Sequence, residues 1–268
     1  MIVVKAGGSK GTDLAAVCAD VAGLVHGGEM VVLVHGSSHE TNVISDRLGH
    51  PARFVTSTSG HTSRYTDRTT IEIVTMVSAG KINKLIVERL QGLGVNAIGL
   101  SGLDGRLLEA TRKESLRIVE NGKQKVLRGE YSGRIDAVNA GLLRALLGAG
   151  YVPVVAPLAL SHQNETVNVD GDRAAAAIAA ALGAATVIIL SNVPGLLRDP
   201  GDETTLVAHV EHAHVESYVE RYARGAMKRK LLGATEALRD GVGRVVIADG
   251  RAAHPLQAAL AGQGTVIE

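Results

Sequence analysis

The chain has 268 residues, 46% hydrophobic and 21% charged, enough to bury a large core as one domain or two intimate lobes. A formal net charge of +1 excludes a general field that would gather nucleic acid or a membrane surface. The single cysteine, Cys18, excludes an internal disulfide, and MIVVKAGG has neither the basic region nor the cleavage site of a secretory signal, so a reducing cytoplasm is the expected location.

The first apolar run, IVV, ends in Lys5 and is followed by Gly7 and Gly8. A lysine closing an apolar strand is costly to bury unless an anion meets it, and paired glycines let backbone N–H groups approach that anion. KAGGSK therefore reads as a strand-end phosphate loop or, more plainly, as an exposed lysine beside a turn. It is not a P-loop, because the lysine precedes the glycines. A helix is expected from Asp13 to Val25, then the strand MVVLVHG, whose end HGSSHETN repeats the arrangement. Gly36, Ser37 and Ser38 open the next helix there, where serines cap and free N–H groups attract anions.

SRYTDRTT follows, with Arg64 suited to a two-pronged grip on a carboxylate and Thr66 or Asp67 suited to capping the helix expected from Thr69 to Leu90. GKINK lies in or near that helix. GLGVNA matches GxGxxA, but its glycines follow a helix and precede a strand, the reverse of a dinucleotide fingerprint, so it reads as a helix stop. After the strand NAIGLSG the pattern changes between Arg106 and Arg134. RIVENGKQKVLRGEY reads as a hairpin turned at Asn121-Gly122, basic through Arg112, Lys113, Arg117, Lys123, Lys125 and Arg128 against Glu114 and Glu120.

A helix is expected from Ile135 to Leu147, then the strand VPVVAPL. In NVDGDRAAAAI, Asp170 stands at the entry to an alanine-rich helix, either as an N-cap or as a carboxylate that positions lysines around a phosphoryl group. Ala174 to Leu197 carries no charge and has the length of a membrane span, but Gly183 and SNVPG break it into a helix and the buried strand TVIIL. His209, His212 and His214 lack zinc-finger spacing and read as a solvated segment. GAMKRKLLGA supplies Lys228 and Lys230, and RVVIADG is the last strand.

Continuous Val and Ile runs without polar alternation are the pattern of strands covered on both faces, and helices alternate with them. The expected fold is α/β, a three-layer α/β/α sandwich with a mainly parallel central sheet and ligands at the strand carboxyl ends.

Taken in order, VVKAGG, VLVHGS, SRYTD, AGKINK, IGLSGLDG, NVD, LSNVPGLL and GAMKRK resemble the amino acid kinase family over essentially the whole chain. Within it they look like the N-acetylglutamate kinase branch, closest to the kinases that act on α-aminoadipate or glutamate held by an amino-group carrier protein. The resemblance implies one domain, 1–268, with substrate binding and dimerisation in 1–160 and ATP binding in 161–268. It implies that Lys5 and Lys230 stabilise the transferring phosphoryl group and that Asp170 holds them. Gly36, Ser37, Arg64 and Asn168 would bind the acyl substrate. Gly7, Gly8, Ser191, Asn192 and Lys228 would hold ATP, with Mg2+ arriving on the nucleotide and no dedicated metal site.

The reaction so implied converts a side-chain carboxylate into an acyl phosphate, whose free α-amine would cyclise to a lactam unless masked by acetyl or by the carrier. An acidic carrier would dock on the basic segment 112–128, and a homodimer would form through the helix bearing AGKINK. An N-acetylglutamate kinase of arginine biosynthesis and a non-catalytic nucleotide-binding regulatory subunit are the alternatives. Two departures bear on the choice. HGSS stands where the family has HGGG, and Thr166 in TVNVD stands where N-x-N-x-D has an asparagine, which speaks against free N-acetylglutamate.

Overall fold

The computed structural model describes residues 1–58, 60, 62–120 and 122–268. The apolar runs form strands, because β-branched side chains fit the pleat and need apolar cover on both faces. Strands β1 (Ile2–Ala6) and β2 (Val31–His35) are buried at every position. Between them α1 (Leu14–His26) starts at Asp13, whose carboxylate accepts from the N–H groups of Ala15 and Ala16. Helix α2 (Ser38–Arg47) follows β2, and β3 (Phe54–Ser57) and β4 (Thr62–Arg64) pair as an antiparallel hairpin. Helix α3 (Arg68–Thr75) passes through a π-helical stretch, Met76–Ile82, into α4 (Asn83–Gly92).

Then come β5 (Ala97–Ser101), β6 (Leu108–Arg112), β7 (Ser115–Glu120), β8 (Lys123–Arg128), β9 (Gly133–Val138) and α5 (Ala140–Gly148). They are followed by β10 (Val152–Ala156), β11 (Leu158–Ser161), β12 (Thr166–Asn168), α6 (Gly171–Leu182) and β13 (Thr186–Ser191). The chain ends with β14 (His209–Val210), α7 (Val215–Tyr222), α8 (Gly225–Arg239), β15 (Arg244–Asp249), α9 (Pro255–Leu260) and β16 (Thr265–Ile267).

The central sheet has eight strands in the order β14-β16-β15-β13-β1-β2-β10-β5, and every neighbouring pair is parallel except β15–β16. Alternate residues feed two separate cores. Val3, Val32 and Val187 pack with Ile178 and Leu231 from α6 and α8, whereas Val4, Leu33 and Ile188 pack with Val17, Ile86 and Leu256 from α1, α4 and α9. The expected three-layer α/β/α architecture is therefore present, and no helix among the described residues is long and apolar enough to cross a membrane. Gly183 ends α6 at φ 67°, where a residue without Cβ is favoured.

Two small sheets flank this sandwich, β12-β11-β6-β9 and β4-β3-β7-β8. The basic hairpin is β7–β8, with Glu120 opposite Lys123 and Gly122 at φ 73°; Asn121 lies outside the described residues. The helix expected from Ile135 is a correction. Residues 133–138 form β9, because Ile135 and Val138 register with Ala110 and Leu108 of β6, and helix α5 waits for the cap at Asn139. Pairing across the chain outweighs local helical spacing there.

A Cβ at Gly102 would lie 1.8 Å from the Leu158 carbonyl oxygen, whereas one at Gly23, in the middle of α1, would meet nothing within 4 Å. Gly102→Ala is expected to lower stability by roughly 1–3 kcal/mol or more through overpacking. Gly23→Ala should raise it by about 0.5–1 kcal/mol through helix propensity. Urea unfolding midpoints of the two variants check both signs.

Candidate active site

Lys5 is near the end of β1 and Lys230 on α8, and each is only 7% exposed. Between them lies Asp172, 6% exposed, with one carboxylate oxygen 2.8 Å from Lys5 Nζ and the other 3.1 Å from Lys230 Nζ. Burial by itself raises the Asp172 carboxyl, but the two ammonium groups and their hydrogen bonds outweigh it and hold the group well below the usual carboxylate range. Burial and the neighbouring Lys5 lower Lys230 in turn, against the pull of Asp172. Two buried cations thus share one anion, and the cluster carries an excess positive charge that invites a further anion.

The residue between the lysines is Asp172, not the expected Asp170. The Asp170 side chain caps α6, its Oδ1 accepting from the N–H groups of Asp172 at 2.9 Å and Arg173 at 3.1 Å. Its other oxygen is 3.6 Å from Arg229 Nε. A cap carboxylate is turned back onto its own helix end, whereas Asp172, inside the first turn, faces β1 and α8. Counted back from Asp172, the N-x-N-x-D pattern falls on Asn168, Asp170 and Asp172, and Thr166 lies outside it.

The two glycine-bearing strand ends abut. A Cβ at Gly8 would lie 2.4 Å from Ser37 N, and one at Gly36 would lie 2.5 Å from Gly8 N. Only glycine permits that approach. Ser38 Oγ and His39 N–H both donate to the Gly8 carbonyl, at 2.9 and 2.8 Å. The Ser37 hydroxyl, which accepts from Thr41 Oγ1 at 3.2 Å, makes no cap bond. Gly7 faces the end of β13, its added Cβ falling 3.0 Å from the Leu190 carbonyl. Ser191 ends β13 and accepts from Gly250 N–H, and exposed Asn192 borders Gly11. Lys228 lines a cavity of about 330 Å³ together with Gly60 and the α7–α8 joint.

Arg64, at the end of β4, donates through Nη2 to Ser38 O at 3.0 Å and Asn42 Oδ1 at 2.7 Å. Its buried Nη1 has no hydrogen-bond partner among the described residues, and burial lowers the guanidinium pKa. Asn168 ends β12, shortly before Gly171, where an added Cβ would touch Lys5 Cε at 3.4 Å. The hydroxyl and N–H of Thr66 are buried, and that N–H donates to Glu130, whose own carboxyl is pushed up by burial. Among the described residues no group of three side chains suited to hold a metal occurs.

Sequence reasoning assigned nothing to His35 or to Asn83, the asparagine of AGKINK. Asn83 is fully buried and donates through Nδ2 to His35 Nε2 at 3.1 Å and to Val154 O at 2.9 Å, tying α4 to β2 and β10 under the Gly36 loop. The bond leaves the His35 proton on Nδ1, which faces the Gly36 carbonyl at 3.4 Å. A histidine closing the apolar run VVLVH and an asparagine within the long helical segment were the signal.

Burial drives His35 from an ordinary pKa of 6.5 down to about 4, helped by Lys5 and Lys84 and opposed by the Gly36 bond. The unfolded chain therefore takes up this proton first. Stability from neutral His35 is present above pH 6.5 and is lost as pH falls from there toward about 4. Its full size is about 3 kcal/mol. Urea unfolding at stepped pH should show that slope in the wild type and a flatter one in His35→Gln.

The amino acid kinase family model matches residues 1–249. The chain is 59% identical over 267 residues to a LysW-aminoadipate kinase of Deinococcus radiodurans, covering 100% of this chain and 91% of the relative. It is 52% identical over 269 residues to a LysW-aminoadipate kinase of Thermus thermophilus, with 100% of both chains covered. Among solved structures, the N-acetylglutamate synthase of Neisseria gonorrhoeae in complex with coenzyme A and N-acetyl-glutamate superposes with a TM-score of 0.79 at 29% identity over 99% of this chain. The chain spans 58% of that protein's length. With matches of this extent, and with strand-end glycines and the lysines of β1 and α8 gathered at one mainly parallel sheet, the chain belongs to the amino acid kinase family.

Proposed function

We propose that the chain is an ATP-dependent kinase that phosphorylates the side-chain carboxylate of α-aminoadipate, and also of glutamate, while the α-amine is joined to an amino-group carrier protein. The observation that carries the phosphoryl-transfer part is the Lys5–Asp172–Lys230 cluster with its excess positive charge. The relatives named LysW-aminoadipate kinases, at 59% and 52% identity, support the substrate.

In this reading a carboxylate oxygen of the substrate attacks the γ-phosphorus of ATP in line, and ADP leaves. The transition state is loose and highly charged, so it asks for positioning and positive charge rather than a protein nucleophile. Lys5 and Lys230 supply that charge, and Asp172 takes the anchoring role expected of Asp170. Gly7, Gly8 and Gly36 bring no Cβ to the meeting strand ends, so that the backbone there approaches the phosphate closely, and Ser37 adds a hydroxyl beside them. Arg64 Nη1 and Asn168 hold the acyl substrate, while Ser191, Asn192 and Lys228 hold the nucleotide. Magnesium bound with ATP would neutralise phosphate charge. Residues 1–160 then serve the substrate and the dimer contact, and 161–268 serve ATP.

The docking segment is narrower than the sequence implied. Arg112 is withdrawn: its guanidinium donates to Glu130 O at 2.8 Å and Glu165 at 2.5 Å and lies 3.6 Å over the Tyr131 ring. Lys125 pairs with Glu120. Arg117 and Arg128 are exposed and share one face of β7–β8 with exposed Val126, since Arg117 registers with Val126 and Ser115 with Arg128. That face is the proposed seat for an acidic carrier. Exposed Met76 and Leu85, on the helix bearing AGKINK, are the proposed homodimer contact.

ATP turnover with hydroxylamine trapping of the acyl phosphate is expected on carrier-linked aminoadipate and glutamate, and not on free N-acetylglutamate. Turnover of N-acetylglutamate alone would make this an arginine-pathway enzyme, and nucleotide binding without any turnover would leave a regulatory subunit. Lys230→Met or Asp172→Asn should lower kcat by on the order of a hundredfold or more. Arg117→Glu with Arg128→Glu should raise KM for the carrier-linked substrate by roughly tenfold and weaken its salt dependence, while KM for ATP stays unchanged.

A further inference from the structure

We infer that Arg229 is a positioning residue that clasps the β3–β4 hairpin to helix α8, so that the hairpin and Lys230 are seated together. The inference deepens the kinase reading and rests on it for its effect on turnover. Arg229 immediately precedes Lys230 and has no part in the phosphoryl-transfer scheme. Its guanidinium Nη1 donates to the Thr62 carbonyl on β4 at 3.0 Å, joining residues 167 positions apart in the chain. Its Nε stands 3.6 Å from Asp170, the carboxylate that caps α6. One side chain therefore touches the hairpin and the helix end that carries Asp172, from the helix that carries Lys230.

The hairpin end of this clasp leads to the substrate side of the site. Thr62 is on the same short strand as Arg64, and its hydroxyl is bonded to Thr56 Oγ1 across the hairpin at 3.0 Å. Arg64 in turn reaches Ser38 O and Asn42 beside the Gly36 loop. A displacement of Thr62 is thus a displacement of Arg64. The helix end leads to the phosphoryl side, because Arg229 and Lys230 move as neighbours on α8.

The contact has the character of a clasp that forms and opens rather than of a packed interface. The Arg229 side chain is 40% exposed and that of Asp170 is 28% exposed, so water competes for both partners. The hairpin residue Gly60 and the α7–α8 joint border a cavity of about 330 Å³. Helix α8 begins at Gly225 with φ 51°, after two extended residues, Ala223 and Arg224, so the helix is joined to α7 by a short link rather than a continuous turn. Elements joined this way are suited to small rigid-body movement.

The test compares full-length wild type with Arg229→Ala and Arg229→Lys by hydrogen exchange of residues 54–64 and by steady-state kinetics. Arg229→Ala is expected to speed exchange in the hairpin without substrate, with an unchanged unfolding midpoint. It should also lower kcat/KM for the carrier-linked substrate by roughly tenfold, the scale of one charge-assisted hydrogen bond, and leave ATP affinity within about twofold. Arg229→Lys, which keeps a donor for Thr62 but not the fork toward Asp170, should recover part of both losses. Wild-type hairpin exchange and kcat/KM in Arg229→Ala would overturn the inference, as would losses that track a lower unfolding midpoint and are not eased by lysine. If the wild type turns over none of the substrates, the kinase reading fails by itself, and the exchange comparison still decides whether Arg229 holds the hairpin.

Discussion

Two buried ammonium groups gathered on one carboxylate are the constraint around which the rest of this structure is arranged. Burying three charges with a net excess of one is unfavourable unless hydrogen bonds and an incoming anion compensate. Lys5 and Lys230 stand 2.8 and 3.1 Å from the two oxygens of Asp172, and the carboxylate remains ionised despite burial. A phosphate bound there would relieve the remaining positive charge, so ligand affinity and stability are linked at the same atoms. The cluster is poorly suited to be a structural core element and well suited to receive an anion.

Holding that geometry requires three elements distant in sequence to end at one point. The parallel pairing of β1 with β2 and β13 brings the strand ends carrying Lys5, His35 and Ser191 to one edge. Apolar cores on both faces of the sheet fix its position. The glycine pairs then let two loops touch at backbone distance, and Asn83 braces His35 beneath them. The π-helical stretch Met76–Ile82 directly precedes Asn83. A wider turn at that place shifts the phase of the helix, and the asparagine that follows faces the sheet, where it meets His35 and Val154.

Much of this was legible in the sequence. Apolar runs ending in Lys5, His35-Gly36 and Ser191 name their own strand ends, because the side chains needed for a doubly covered strand differ from those needed at its rim. Lys5 and the glycines followed from the same logic, whereas the role of Lys230, on a helix, came from the family resemblance. The anchor carboxylate did not, because NVDGD offers two candidates in one helical turn and local rules favour Asp170 as the cap, which it is. Which of the two meets the lysines depends on how α6 is rotated against β1 and α8, a matter of packing. Residues Ile135 to Val138 illustrate the same limit, since helical spacing there yields to a strand partner in β6. Arg112 reads as one of six basic residues in a segment, yet Glu165 and the Tyr131 ring take it out of the exposed set.

The sequence by itself determined the kind of fold, the strand ends at which chemistry gathers, and the charged and glycine residues available there. These depend on composition and period within short windows, which act before any distant contact forms. Only the tertiary structure decided which carboxylate pairs with Lys5 and Lys230, which basic side chains stay free, and that Arg229 meets Thr62. Those outcomes depend on distances between residues far apart in the chain, set when the two cores pack and the helices take their rotation against the sheet.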